Sequence, residues 1–386
     1  MLSELSKLQL NILDQIFDWY KSPKQQFLTL GGYAGTGKTT LLGYLANKLK
    51  KEDSQISIAY CAYTGKAAVI LKRKLQEVKA LKPKDFVGTI HSLIYKAIVD
   101  DDDNIIGWEK KPFEELDYDF IVIDEASMVN ENIWQDLLSF QKPILAVGDH
   151  GQLPPIEGTF NLMEKPQLKL EEIYRQEKSN PIIKLSEIAR KYGNIPSIDF
   201  GNKVRKISKQ REDTQEFLTN IFSTYNKDML VLTGYNSTRL KLNRGIRQLL
   251  EFESEHPEIN DRVICLKNNH VDGIFNGMTG TILSIQEIKL DDLKVYETEI
   301  EFDGEDDIFF GNMSIEQFGK QETLNKNIGV SLFDFGYALT VHKAQGSQAK
   351  RVVLFEERFP RMSDELWRRW LYTGVTRAEE ELYIIG

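Results

Sequence analysis

The chain has 386 residues, 49 Lys+Arg against 58 Asp+Glu, a formal net charge of -9 and two cysteines. Its 41% hydrophobic content excludes a disordered or rod-like protein, and its length suggests two or three domains at ~150 residues each. The negative balance argues against a protein that coats DNA by bulk charge but leaves room for a local nucleic-acid groove.

In chain order, short apolar runs alternate with helical patterns, as expected of an α/β protein with largely parallel sheets. Residues 27–30, 56–59, 120–123 and 143–147 read as buried strands, each followed by a turn and a helical stretch such as 39–50. Around 93–118, Asp100-Asp101-Asp102-Asp103-Asn104 between Ile/Val-rich flanks predicts a hairpin with a polar tip. A second strand set follows at 229–232, 335–338, 352–355 and 382–385. From about 260 to 328 the pattern is strand-like, with turn signals at Gly273, Gly277, Gly280 and Gly304, and predicts a small inserted β-barrel. Charge is segregated: 285–310 holds two Lys and ten Asp+Glu, whereas 203–250 holds ten Lys+Arg and four Asp+Glu. The basic stretch around Arg239, Lys241, Arg244 and Arg247 reads as a solvated helix face. No apolar run approaches the ~20 residues of a membrane helix. The N-terminus, Met1-Leu2-Ser3-Glu4-Leu5, lacks a basic-then-apolar signal region. Cys61 and Cys265 are too few and too far apart for a disulfide framework or zinc site, which suits a reducing, cytoplasmic location.

Gly32-Tyr33-Ala34-Gly35-Thr36-Gly37-Lys38-Thr39 matches G-x-x-x-x-G-K-[ST] between a predicted strand and a predicted helix. In that setting backbone N–H groups close around phosphate oxygens and the helix N-terminus favours the anion. Lys38 is expected to reach the β- and γ-phosphates of ATP, and the Thr39 hydroxyl to hold Mg²⁺. Asp124, after the run 120–123, is the expected second contact to the Mg²⁺ shell, and Glu125 the group that orients or deprotonates the attacking water. Gln152, in Gly148-Asp149-His150-Gly151-Gln152-Leu153-Pro154, is placed to sense the γ-phosphate, and Arg175 and Arg377 are candidate arginine fingers.

These blocks resemble superfamily 1 helicases. The phosphate loop is followed by Asp124-Glu125-Ala126-Ser127 and by Gly148-Asp149…Gln152-Leu153-Pro154-Pro155. Tyr174-Arg175-Gln176, Thr340-Val341-His342-Lys343-Ala344-Gln345-Gly346-Ser347 and Tyr372-Thr373-Gly374-Val375-Thr376-Arg377-Ala378 look like the fourth, fifth and sixth motifs. Thr64-Gly65-Lys66-Ala67-Ala68 and Thr89-Ile90-His91-Ser92 resemble two early DNA-contact motifs. The His-Lys-Ala-Gln-Gly block and Asn276-Gly277…Gly280 point to the RecD/Pif1 branch of superfamily 1B, and the short length to its phage Dda type. The resemblance implies two tandem RecA-like P-loop domains with ATP bound in the cleft between them. It divides the chain into 1–177 (domain 1A, with a pin insertion 1B at about 93–118), 178–259 with 329–386 (domain 2A), and an inserted SH3-like β-barrel, domain 2B, at 260–328. It implies an ATP-dependent 5′→3′ DNA helicase translocating on single-stranded DNA, with forked duplex as substrate; a monomer is the default expectation, which the resemblance does not itself supply. Replication or recombination partners are unspecified. Nucleotide contacts would come from Gln9 (the adenine edge), Gly35, Thr36, Gly37, Lys38, Thr39 and Thr40.

Two departures stand out: Tyr63 occupies a position commonly Pro, and Gly65 replaces the His of the Dda type. A track on single-stranded DNA needs polar phosphate contacts and a few stacking faces. The candidates are Thr64, Lys66, His91 and Ser92 in the first domain and Thr340, His342 and Lys343 in the second, the latter at an expected strand-to-helix turn. Trp108 or Ile105-Ile106 would be the strand-separating group of the pin. Two other readings fit the sequence: a translocase that mainly displaces bound proteins, and an ATP-gated DNA-binding or loading module.

Overall fold

A computed structural model of the protein describes residues 5–99, 105–155, 160–172, 180–201, 203–269, 274–290, 293–303, 308–324 and 330–386. The chain divides into two compact units, Met1–Ile183 and Lys184–Gly386.

The first unit opens with α1 (Lys7–Lys21), β1 (Phe27–Gly32), α2 (Lys38–Glu52), β2 (Ile58–Ala62), α3 (Gly65–Glu77) and β3 (Phe86–Thr89). It continues with α4 (Ile90–Ile94), β4 (Tyr95–Val99), β5 (Ile105–Lys110), β6 (Phe120–Asp124), α5 (Glu131–Ser139), β7 (Ile144–Gly148) and β8 (Leu168–Leu170). Six strands form a parallel sheet in the order β3-β2-β6-β7-β1-β8. Because side chains alternate along a strand, the sheet feeds two cores. Leu28, Leu30, Tyr60, Val122 and Val147 face one core with α1, α2 and α3. Ala59, Cys61, Ile121, Ile123 and Ala146 face the other with α4 and α5. A capping box starts α1: the Ser6 hydroxyl accepts from the Gln9 amide, and the Gln9 side chain accepts from Ser6 N.

β4 and β5 form an antiparallel hairpin from Tyr95↔Lys110 to Val99↔Ile105. It is shorter than the expected 93–118, because residues 93 and 94 close α4 and 113–115 form a 3₁₀ turn. Its tip, 100–104, and the side chains of Ile105 and Ile106 lie outside the described residues.

The division falls within α6 (Pro181–Tyr192). Beyond it come β9 (Val204–Ile207), α7 (Thr214–Phe222), β10 (Met229–Thr233) and α8 (Asn236–Leu249). Then follow β11 (Arg262–Cys265), β12 (Thr279–Leu290), β13 (Leu293–Phe302), β14 (Ile308–Ser314), β15 (Phe333–Phe335), β16 (Ala338–Thr340), β17 (Ala349–Phe355), α9 (Asp364–Val375) and β18 (Ala378–Ile385). One sheet is parallel, in the order β16-β10-β17-β18-β9. The other is antiparallel, in the order β14-β13-β12-β11-β15, and has its own aromatic core including Phe302, Phe309 and Phe333. The end of β14 also forms a parallel bridge, Met313 to Ser331, two residues before β15.

The expected strand over 335–338 is two strands. β15 ends at Phe335 in the antiparallel sheet and β16 starts at Ala338 in the parallel one. Between them Gly336 passes so close to β11 that a Cβ would lie 2.7 Å from the Val263 carbonyl carbon. The antiparallel sheet therefore runs past residue 328, to β15.

The basic face expected on α8 is corrected too. Arg239 and Arg247 are buried: Arg239 Nη1 donates to Asp334 Oδ2 at 2.6 Å, and Arg247 donates to both Asp261 oxygens at 2.8 and 2.9 Å. Both acids sit where the chain passes between the two sheets of this unit, so helical periodicity carries these arginines inward to them. Arg244 keeps the solvated position expected of it.

Candidate nucleotide and nucleic-acid sites

The phosphate loop spans the end of β1 and the start of α2. Gly35 (φ 76°) and Gly37 (φ 81°) take left-handed conformations that a Cβ would oppose. Gly37 caps α2 with no side-chain hydrogen bond, so the first-turn N–H groups of Lys38, Thr39 and Thr40 have no capping side chain. The Lys38 ammonium folds back over the loop, donating to the carbonyl oxygens of Gly32 (2.7 Å) and Tyr33 (3.1 Å). Thr36 is buried, its hydroxyl donating to Tyr33 O at 2.8 Å.

Gln9 arrives from α1. It is buried, and Nε2 donates to Thr36 O at 3.1 Å while Oε1 accepts from Ser6 N at 2.8 Å. A Cβ on Gly37 would lie 2.7 Å from Gln9 Nε2, so a glycine is needed for this amide to rest on the loop.

Asp124 ends β6, and its Oδ1 accepts from Glu125 N at 2.9 Å. Glu125 has φ 53° and ψ 37°, a left-handed conformation worth about 1–2 kcal/mol of strain for a residue with a Cβ. One of its carboxylate oxygens is buried. The loop after β7 is tied by Asp149, which accepts from Gly151 N (2.9 Å) and from Gln152 Nε2 (3.4 Å); Asp149 and Gln152 are both buried.

Two side chains here escaped the sequence reading. The His150 ring packs at a tilt against Tyr33 of the phosphate loop, centroids 4.2 Å apart, and its Nε2 lies 3.5 Å from a Glu171 carboxylate oxygen. Burial depresses the His150 pKa, with Asp149 and Glu171 acting in the opposite sense. Their only sequence signal was position, Tyr33 inside one motif and His150 inside another. Arg175 lies outside the described residues.

In the second unit Arg377 is 2% exposed. It donates to Thr373 O (3.0 Å), Ser347 O (3.1 Å) and Thr376 Oγ1 (3.2 Å).

Among the nucleic-acid candidates of the first unit, Thr64 is the N-cap of α3, its Oγ1 accepting from Ala67 N. Ser92 belongs to a capping box with Thr89 at the start of α4. Both hydroxyls thus have structural work. His91 packs between Tyr63 and Tyr95, centroids 6.0 and 5.7 Å away, and burial lowers its pKa, making it a neutral hydrogen-bonding group at pH 7. The Lys66 side chain lies outside the described residues.

In the second unit Thr340 ends β16. The strand-to-helix turn expected there is a series of turns instead, with Ala344 N donating to Thr340 O and Ser347 N to Ala344 O before β17 begins. Gly346, at φ 74°, reverses the chain where a helix would have to continue. Burial lowers the pKa of His342 and of Lys343, and Arg239 lowers the latter further.

Residues 20–158 match the family described as an AAA domain, and 335–385 the UvrD-like helicase C-terminal domain. The ATP-dependent RecD2 DNA helicase of Deinococcus radiodurans is 28% identical over 99% of this chain and 49% of its own length. The ATP-dependent DNA helicase dda of Enterobacteria phage T4 is 24% identical over 94% of this chain and 95% of its own. Over nearly its whole length the chain is a homologue of ATP-dependent DNA helicases of the RecD2 and dda kind. The fold agrees with that relationship. A Bacteroides Pif1 bound to ssDNA superposes with a TM-score of 0.57 at 17% identity, covering 99% of this chain and 92% of that one. The Pif1 of Candida albicans superposes at 0.52, again with 17% identity, covering 100% and 94%. The chain spans about half the length of the RecD2 helicase it matches.

Proposed function

We propose that this RecD/Pif1/Dda-type chain is an ATP-dependent DNA helicase that moves 5′→3′ on single-stranded DNA and separates forked duplex ahead of it, acting as a monomer. One observation carries the reading: a glycine-built loop between β1 and α2 presents Lys38, with Asp124, Glu125 and Gln152 at the ends of strands of the same sheet. ATP-dependent DNA helicases among its relatives support it, and polarity rests on that relationship alone.

The roles follow from the local chemistry. Phosphate oxygens competing with two neutral carbonyls would draw the Lys38 ammonium off Gly32 and Tyr33, because charge-assisted bonds are the stronger. Thr39 and Asp124 offer hard oxygen donors, and among the described residues no group of three His, Cys, Asp or Glu could hold a metal. Such oxygen donors suit Mg²⁺, which when bound would supply neutralisation of phosphate charge. Glu125 would take the proton of the attacking water, and Gln152 would sense the γ-phosphate. Gln9 would exchange a bond to Ser6 or Thr36 for the adenine edge. Arg377 acts as a finger only after leaving the carbonyls of Thr373 and Ser347. The two parallel-sheet units serve as RecA-like motor domains, β4–β5 as the pin and the antiparallel sheet as an SH3-like domain.

A second reading, a translocase that displaces bound proteins but unwinds poorly, is favoured by the acidic run Asp100 to Asp103, which would repel phosphate at the hairpin tip. Forks with a 5′ or a 3′ tail, run beside streptavidin displacement, separate the two. ATP hydrolysis should rise on adding single-stranded DNA and vanish in Lys38→Ala. Turnover indifferent to DNA, or surviving that substitution, refutes the motor.

A further inference from the structure

At the C-terminal edge of the parallel sheet in the second unit, one carboxylate ties the exit of β17 to the start of α8. β10 lies between β16 and β17, with Thr233 paired to Thr340 and Leu232 to Leu354. Glu357, two residues past the end of β17, reaches across this edge. Its Oε2 accepts from the backbone N–H groups of Gly234 (2.9 Å) and Tyr235 (3.0 Å), and its Oε1 from the Thr238 hydroxyl (2.6 Å). Charge assistance strengthens such bonds, and the dipole of α8 favours an anion at this end. The approach requires a glycine: a Cβ on Gly234 would lie 2.8 Å from both the Cβ and the carbonyl oxygen of Glu357.

This clip has a functional neighbour on each side. On one, Thr233 O accepts from Val341 N at 3.0 Å, which ties the end of β10 to the backbone between the candidate DNA contacts Thr340 and His342. On the other, the Arg358 carbonyl accepts from the Tyr235 hydroxyl at 3.2 Å. The Arg358 guanidinium donates to Met362 O at 3.0 Å and to Asp364 in the first turn of α9. Near the far end of α9, Thr373 O is one of the groups that hold Arg377.

We propose that Glu357 is a positioning residue that couples DNA contact at the Thr340 edge to the placement of Arg377. A phosphate drawn to Thr340 shifts the ends of β16 and β10. The bonds of Glu357 carry that shift into the loop after β17, and Arg358 passes it to α9. Arg377 has two arrangements, held by the Thr373 and Ser347 carbonyls or released to meet nucleotide, so a small displacement of α9 biases a switch. The inference rests on the motor reading, in which Arg377 is a finger.

The test compares the full chain with Glu357→Ala, Glu357→Gln and Thr238→Val. Each is measured for ATP hydrolysis without DNA, for the maximal rate at saturating oligothymidylate, and for oligothymidylate Kd by anisotropy. Glu357→Ala should keep the DNA-free rate and bind DNA within about twofold of the parent, while its maximal stimulation falls roughly tenfold through loss of charge-assisted bonds. Glu357→Gln should return stimulation to near the parent value, because its amide oxygen can accept from both N–H groups and its amide nitrogen can donate to Thr238 Oγ1. The DNA-free rate also reports folding. If Glu357→Ala unfolds, Thr238→Val carries the test, since removing that single bond should lower stimulation about threefold. Parent-like stimulation in Glu357→Ala, or in Thr238→Val where the alanine variant unfolds, overturns the proposal. So does a Glu357→Gln variant as poor as Glu357→Ala, or a loss of stimulation matched by an equal loss of DNA affinity. A parent that DNA does not stimulate refutes the motor reading instead, and this inference falls with it.

Discussion

Arg247 and Asp261 offer a prediction whose sign separates two ideas about the basic helix α8. If Arg247 were a solvated face residue, replacing it would change stability by less than ~0.5 kcal/mol. The structure puts it elsewhere. Its Nε and Nη2 meet both Asp261 oxygens, its Nη1 and Nη2 donate to Ser254 O (2.6 Å) and His256 O (2.9 Å), and its guanidinium lies 4.2 Å from the Phe335 ring centroid. Asp261 also accepts from the Tyr337 hydroxyl at 2.7 Å and from Glu258 N at 2.8 Å. Burial nevertheless pushes the Asp261 carboxyl above its usual range, against the pull of Arg247. The pair is therefore a poor net source of stability, yet each half is costly to strand. Arg247→Met should destabilise the second unit by about 3–5 kcal/mol, because it leaves a buried carboxylate without its cation. For a unit of this size that is a fall of roughly 1–2 M in the urea midpoint. Adding Asp261→Leu should recover much of the loss, since an apolar pair leaves no stranded charge. Two units need not melt together, so the readout is hydrogen exchange of α8 and β11 amides along the urea series. A single variant within 1 kcal/mol of the parent, or a double variant as damaged as the sum of the singles, refutes the argument.

Glu125→Gln keeps the size of the side chain but removes the base; turnover should fall by about 10²–10⁴ while nucleotide binding persists, measured by single-turnover hydrolysis beside an equilibrium binding assay. Gly37→Ala places a Cβ at positive φ and against the Gln9 amide, so it should lower the stability of the first unit by about 1–2 kcal/mol in thermal melts and impair ATP hydrolysis; unchanged melting would contradict the left-handed geometry. His91 and His342 have folded pKa values depressed by burial. Their neutral forms thus contribute stability that is present above the unfolded value of 6.5 and lost as pH falls below it toward the folded values. Urea midpoints taken at descending pH should drop through that window, and His91→Gln should flatten the drop in the first unit; an unaltered slope would tell against a buried neutral His91.

What could be read from residue order alone was local chemistry tied to backbone period. The phosphate loop was legible because glycines, lysine and threonine must sit at fixed spacing between a strand and a helix. Four first-unit strands were legible, that at 56–59 lying two residues early of β2, because a parallel sheet covered on both faces needs continuous apolar runs; the short edge strands β3 and β8 were not. Long-range proximity was not legible. Arg247 looks like any helix cation until Asp261 is carried beneath it, and Phe335 to Ala338 looks like one strand until Gly336 has to slip past Val263. His150 reaches Tyr33 only because β1 and β7 are neighbours, a pairing between residues more than a hundred positions apart. Sequence determined which groups were available for phosphate chemistry, since motif spacing is set by covalent geometry. Tertiary structure decided which charges are buried and which hydroxyls are taken up in helix caps, because those depend on contacts that no local period encodes.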